Sequence, residues 1–227
     1  MEKLAQNNPA FLLDVLNGRL AFERTGVKLY DSVIGKIEAQ AQPRFLAIVG
    51  QLREIRAEEK EHEEWLEAQI RGLGGNPDGK SEMAQLEMEE GRGIETIICD
   101  GHSNAVHLLH ALLAAELADN AGWDVLVKLA DEAGDPAAKI EFAQRMAEEA
   151  KHLLFIRELV VRSAETMMLG AERPLPRGFG SVAASKMKKP LLVGGALGAV
   201  LLGVGALAAS ALFLARPKLA PRLRHAL

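Results

Sequence analysis

Apolar residues recur at alternating steps of four and three in four stretches of this chain, the spacing that gathers them on one face of a helix. From about Pro9 to Ile37 the stripe runs Leu16, Leu20, Glu23, Val27, Tyr30, Ile34. From about Pro43 to Gly72 it runs Phe45, Ile48, Leu52, Ile55, Glu59, His62, Leu66. A third, through residues 106–130, lines up Leu109, Leu113, Glu116, Asn120, Trp123 and Val127. The fourth follows Asp135 and Pro136, a helix cap and first-turn proline, and carries Phe142, Met146, Glu149, His152, Ile156 and Leu159. These periods predict an all-α fold built on four helices.

The polar interruptions of the stripes repeat. One helix carries a single inward glutamate and the next an inward Glu-x-x-His, and this order occurs twice. Glu23 to Glu59 is 36 residues and Glu116 to Glu149 is 33, while Tyr30 and Trp123 each stand seven residues after their half's lone glutamate. The head therefore reads as an internal duplication. Residues 73–100, which begin with a Gly-Gly-Asn-Pro break, form a connection long enough to return the chain along the bundle as a crossover. The other acids of the second helix, Glu58, Glu61, Glu63 and Glu64, are expected mostly in solvent.

Four carboxylates and two imidazoles facing one interior need a counterweight, because buried charges lose hydration and like charges repel. Two divalent cations carry +4 against the −4 of four carboxylates. Glu and His three apart on a helix share a face, so one helix can offer an oxygen and a nitrogen to neighbouring metals. Mixed carboxylate and imidazole ligation suits iron, with manganese as the other candidate.

This pattern resembles the ferritin-like di-iron carboxylate superfamily, most similar to rubrerythrin- and bacterioferritin-type bundles, over residues 9 to about 165. The resemblance implies an antiparallel four-helix bundle with a crossover, in which Glu59 and Glu149 bridge two irons, Glu23 and Glu116 are terminal carboxylates, and His62 and His152 are terminal imidazoles. It also implies oxidation of Fe(II) by dioxygen or peroxide. Hydroxylation of a membrane substrate such as a quinone, and non-catalytic iron delivery to a membrane partner, are the alternatives. A rubrerythrin-like peroxidase would need a separate electron donor, since the single Cys99 cannot build a rubredoxin module. Asp119, three after Glu116, could be a spare carboxylate but is expected at the surface, and Tyr30 is expected to pack in the core. Cys99, His102, His107 and His110 do not make a closed zinc set, because His107 falls away from the others on a helix; they read as helix-start and rim residues.

Composition changes the picture at the far end. Leu191 to Ala215 has 25 positions without a charge, enough to cross the roughly 30 Å hydrocarbon layer as a helix. Lys186, Lys188, Lys189 and then Arg216, Lys218, Arg222 and Arg224 bracket it. The expected organisation is a bundle over 1–170, a Pro- and Gly-rich linker over 171–189, one transmembrane helix over 190–215 and a basic tail over 216–227. A single-pass membrane protein follows. The start lacks the basic and apolar segments of a secretory signal, so the di-iron head is expected on the cytoplasmic side. Gly194 and Gly198 have the spacing that lets two such helices pack as a homodimer. A net charge of −4 argues against nucleic acid as a partner.

Overall fold

In the computed structural model, residues 1–181 are described, and all regular structure among them is helical. They belong to a unit spanning Met1–Lys189; the second unit, Pro190–Leu227, lies outside the described residues, and with it the expected transmembrane helix and basic tail. No helix among the described residues is long and apolar enough to cross a membrane. In chain order the helices are α1 (Glu2–Asn7), α2 (Pro9–Gln40), α3 (Pro43–Leu46), α4 (Val49–Gly72), α5 (Glu82–Cys99), α6 (Ala105–Glu132) and α7 (Pro136–Leu169).

The helix starts follow local chemistry. Asn8 caps α2 by accepting from Phe11 N, and Asp135 caps α7 by accepting from Ala138 N. Asn104 and His107 form a reciprocal capping box on α6, so His107 is a helix-start residue, as expected, and Cys99 is exposed.

Cross-helix pairs give the directions. Arg24 reaches Glu67, Arg56 reaches Asp31 and Arg53 reaches Glu38, so α2 and α4 run antiparallel. Trp123 meets Phe142, and Asn120 donates to the carbonyl of Met146, so α6 and α7 also run antiparallel. Gln40 donates to Ser103 O while Arg19 pairs with Asp119, which sets α2 against α6 in the same sense. The four long helices make an antiparallel bundle with α2 between α4 and α6, and α7 beyond α6.

The connection between the halves differs from expectation because most of it is a helix. Ser81 caps α5, accepting from Ala84 N. At 1.5 Å per residue its 18 residues rise about 27 Å. Asp14 lies near Met83, Arg19 pairs with Glu87 and Lys36 reaches Asp100 O, so α5 runs parallel to α2 and performs the crossover. Its inward positions are Ala84, Glu87, Gly91 and Ile98. Gly91 is required there, since a Cβ would stand 2.5 Å from Thr25 Cγ2.

Helix α5 also explains a correction on α6. Leu113, Asn120 and Val127 are only half-buried, whereas Leu112, Ala115, Asp119, Leu126 and Ala130 are buried. Packing against α5 as well as α2 and α7 widens and rotates the covered face.

Two apolar clusters fill the bundle. One is built around Tyr30, Ile37, Leu52, Leu108 and Phe155; the other around Leu16, Leu66, Trp123 and Phe142. The glutamates and histidines lie between them. Residues 171–178 are irregular, as their composition predicts, and 179–181 begin a helical turn, yet the stretch is packed: Leu175 joins the first cluster, and Arg44 donates to the carbonyls of Arg162 and Arg173.

Candidate metal centre

Each long helix delivers its in-stripe polar residues to one level of the bundle: Glu23 from α2, Glu59 and His62 from α4, Glu116 from α6, Glu149 and His152 from α7. All six are buried, none more than 3% exposed. They form two overlapping groups, Glu23 with Glu59, His62 and Glu149, and Glu59 with Glu116, Glu149 and His152. Within each group the candidate ligand atoms lie within 4.8 Å of one another. Glu59 and Glu149 belong to both. The arrangement can hold metal ions at two adjacent positions.

Hydrogen bonding divides four of the six side chains, Glu23, Glu116, His62 and His152, into an anchored and an orphaned end. Glu23 Oε1 accepts from Trp123 Nε1 at 2.9 Å and from Arg19 at 3.3 Å. Glu116 Oε1 accepts from the Tyr30 hydroxyl. His62 Nε2 is 2.9 Å from Glu148 Oε2, and His152 Nε2 is 2.5 Å from Glu58 Oε2. On the inner side seven buried atoms have no hydrogen-bond partner among the described residues: Glu23 Oε2, Glu59 Oε2, Glu116 Oε2, both Glu149 oxygens and the Nδ1 atoms of His62 and His152. His62 Nδ1 lies 2.8 Å from Glu149 Oε1 but without hydrogen-bond alignment. Native interiors rarely leave such groups unsatisfied. With Nε2–H donating to a carboxylate, each imidazole presents its Nδ1 lone pair inward, which is the state a metal takes. All six residues therefore fit a metal pair.

Three features of this shell escaped the sequence reading. Glu58 and Glu148 are half-buried partners of the histidines on opposite helices; the shared string Ala-Glu-Glu-x-x-His at 57–62 and 147–152 was the available signal. Glu63, also expected in solvent, is buried beside Arg24 and Lys60. Asp119 is not at the surface: it is 3% exposed and pairs with Arg19, which also meets Glu87 of α5 at 3.2 Å. Gly122 makes room for that guanidinium, since a Cβ would stand 2.2 Å from Arg19 Nη1. Tyr30 packs in the core as expected and in addition binds Glu116.

The electrostatics reflect the burial of these carboxylates and imidazoles side by side. Burial, together with neighbouring carboxylates, pushes the carboxyls of Glu23, Glu59 and Glu116 well above the ordinary range. Burial and Glu149 lift Asp119 to about 7, against the pull of Arg19. Burial also works against the charge on Glu149, but His152 and His62 prevail and hold it at about 2. For His62 burial favours the neutral ring, and Glu149 with Glu23 outweighs it, raising the imidazole to about 9.

A pH dependence follows. In the metal-free chain Glu23, Glu59, Glu116, Asp119 and His62 hold protons more tightly folded than unfolded. Stability from these groups is complete below their unfolded values and is lost as pH rises, for His62 through about 9. Glu149 acts oppositely, but only as pH falls from the usual carboxyl range towards about 2. Cations replace the same protons, so their affinity grows with pH. Calorimetry should find the metal-free melting temperature falling between about pH 6 and about pH 9, with the gap to the metal-loaded protein widening. A metal-free melting temperature that rises over that interval would show these groups already ionised in acid.

Comparison of the chain with known family models, with curated proteins and with solved structures finds no match.

Proposed function

We propose that this chain is a di-iron carboxylate protein of the ferritin-like type that binds two Fe(II) ions and oxidises them with dioxygen or peroxide. The observation that carries the reading is the set of seven orphaned donor atoms, contributed by all six residues and turned towards a common interior. Glu59 and Glu149 would be the carboxylates shared by the two positions, because both groups contain them. Glu23 and His62 would complete one position, Glu116 and His152 the other. Bound iron supplies one-electron redox chemistry, and manganese(II) would suit the same oxygen and nitrogen donors.

The chain's own contribution is to orient and to exclude. Trp123 and Arg19 fix Glu23, Tyr30 fixes Glu116, and Glu148 and Glu58 fix the two imidazoles. The near-complete burial of the cluster favours oxidants of diatomic size over a ring-sized organic substrate. The uncharged run Leu191–Ala215 supports tethering of this head to a membrane by one helix. A separate protein would then supply any electrons that turnover requires.

Anaerobic loading with Fe(II) followed by dioxygen tests the reading: a ferric absorbance should grow in proportion to bound iron. Stable Fe(II) after oxygenation would reduce the site to iron binding alone. Glu148→Ala and Glu58→Ala should each weaken metal binding by about 10- to 100-fold, the usual effect of losing an outer partner of a ligating histidine. Each loss should fall mainly on one position, that of His62 for Glu148 and that of His152 for Glu58, read as two separated affinities in a calorimetric titration.

A further inference from the structure

Helices α4 and α7 are bundle neighbours with far fewer close backbone approaches than α2 with α4 or α6 with α7. The gap between them is where Glu58 and Glu148, each partly exposed, meet the outer nitrogens of the histidines. Beyond His62 this seam is bordered by the polar guanidinium of Arg145, 3.7 Å above the Trp65 ring, with Phe142 set edge-on to Trp65.

Beyond His152 the closure comes from outside the four long helices. The Phe179 ring stacks on His152, with centroids 6.0 Å apart and 19° between planes, and meets Phe155 edge-on at 5.7 Å. The stretch that carries it is bound at several points. Leu175 is buried in the first apolar cluster, and Arg44 together with Thr166 holds the backbone of Arg173. Gly178 lies so close to α4 that a Cβ there would stand 2.9 Å from Gln51 Oε1. The segment thus crosses the seam from the end of α7 towards α4. His62 has no such cover: the rings against it among the described residues are Trp123 and His152, both fully buried.

We infer that Phe179 is a positioning residue of the metal centre that locks the His152 ring and covers its side of the seam, making the two metal positions unequal in access. The ring is held on its face by Phe179 and at its outer nitrogen by Glu58, whereas among the described residues His62 is held from the seam by Glu148 alone. A cation at the His152 position is retained, and one at the His62 position exchanges readily with solvent. The inference rests on the two-cation reading of the site.

Cobalt(II), bound to the full chain and withdrawn by excess EDTA, provides the test. The parent protein should bind two ions and release them in a fast and a slow phase. Phe179→Ala should keep both ions but speed the slow phase about tenfold, the factor expected from losing one aromatic contact. Phe179→Tyr, which preserves the ring, should restore the slow phase. A role confined to stability would lower the metal-free melting temperature of Phe179→Ala and leave both release phases in place, which overturns the inference while sparing the two-cation reading. A single phase from a parent protein holding two ions overturns it in the same way. Failure of cobalt to bind overturns both.

Discussion

Glu149→Gln should abolish metal binding at both positions. Glu149 belongs to both candidate groups, and both of its oxygens are buried without a hydrogen-bond partner. An amide of the same shape offers one weak oxygen donor and an NH2 aimed at the cations. Losing even an outer partner of a ligand costs about 10- to 100-fold, so losing a ligand shared by two cations should weaken both by at least about 100-fold. The bundle should persist, because Leu16, Leu52, Leu66, Phe142 and Ile156 lie in the flanking apolar clusters and do not depend on the carboxylate. Glu23→Gln is the contrast: Glu23 belongs to one group only, so one cation should remain. Equal losses from the two variants would mean that the positions do not share ligands as the geometry indicates.

The second large effect concerns folding. Arg19→Met should destabilise the protein by about 3–5 kcal/mol, the usual result of removing one partner from a buried ionic cluster. Burial alone would disfavour the Arg19 charge, but Asp119, Glu87 and Glu23 more than compensate and push its pKa upward. Without the guanidinium, Asp119, Glu87 and Glu23 are left facing one another with no cation among them. For a chain of this size the loss corresponds to a fall of roughly 6–20 °C in melting temperature. Part of it should be recovered at low pH, where Asp119, already lifted to about 7, takes a proton. Asp119→Asn should cost less, because Glu87 and Glu23 still pair with Arg19. A loss no greater for Arg19→Met than for Asp119→Asn would show that the cluster is weakly coupled.

Residue order marked which positions are buried better than how wide each buried face is: α2, packed by α4, α5 and α6, also buries Leu12, Phe22, Leu29 and Val33 outside its stripe. The stripes of α2 and α4 are buried position for position, and that of α7 departs only at the half-buried Met146. On α6 the apolar pattern was true but incomplete, because it could not register a fifth helix. Helix α5 itself was hidden for a chemical reason. Its inward positions are Ala84, Glu87, Gly91 and Ile98, chosen for closeness to α2 and for pairing with Arg19, while Leu86, Met88 and Ile97 are exposed. Hydrophobicity alone therefore points to the wrong face.

The site divides in the same way. Its six inward residues were legible because each interrupts an apolar stripe, and an ionisable group on such a stripe is costly without a partner. The shell was less legible. Glu58 looks like one more acid in a charged run until His152 is seen 2.5 Å away on another helix. Arg19 and Asp119 stand off the apolar stripes, and nothing local announces that residues 100 apart in sequence form a pair. The packing of residues 171–181 against the bundle was equally hidden, since proline and glycine signal irregular backbone and say nothing about what it touches.

Metal content is the most direct test of the central claim. The full chain, loaded anaerobically with Fe(II) and freed of loose metal by gel filtration, should carry two irons per chain by elemental analysis, with less than one in Glu149→Gln. Two irons retained by Glu149→Gln, or none in the parent protein, would contradict it.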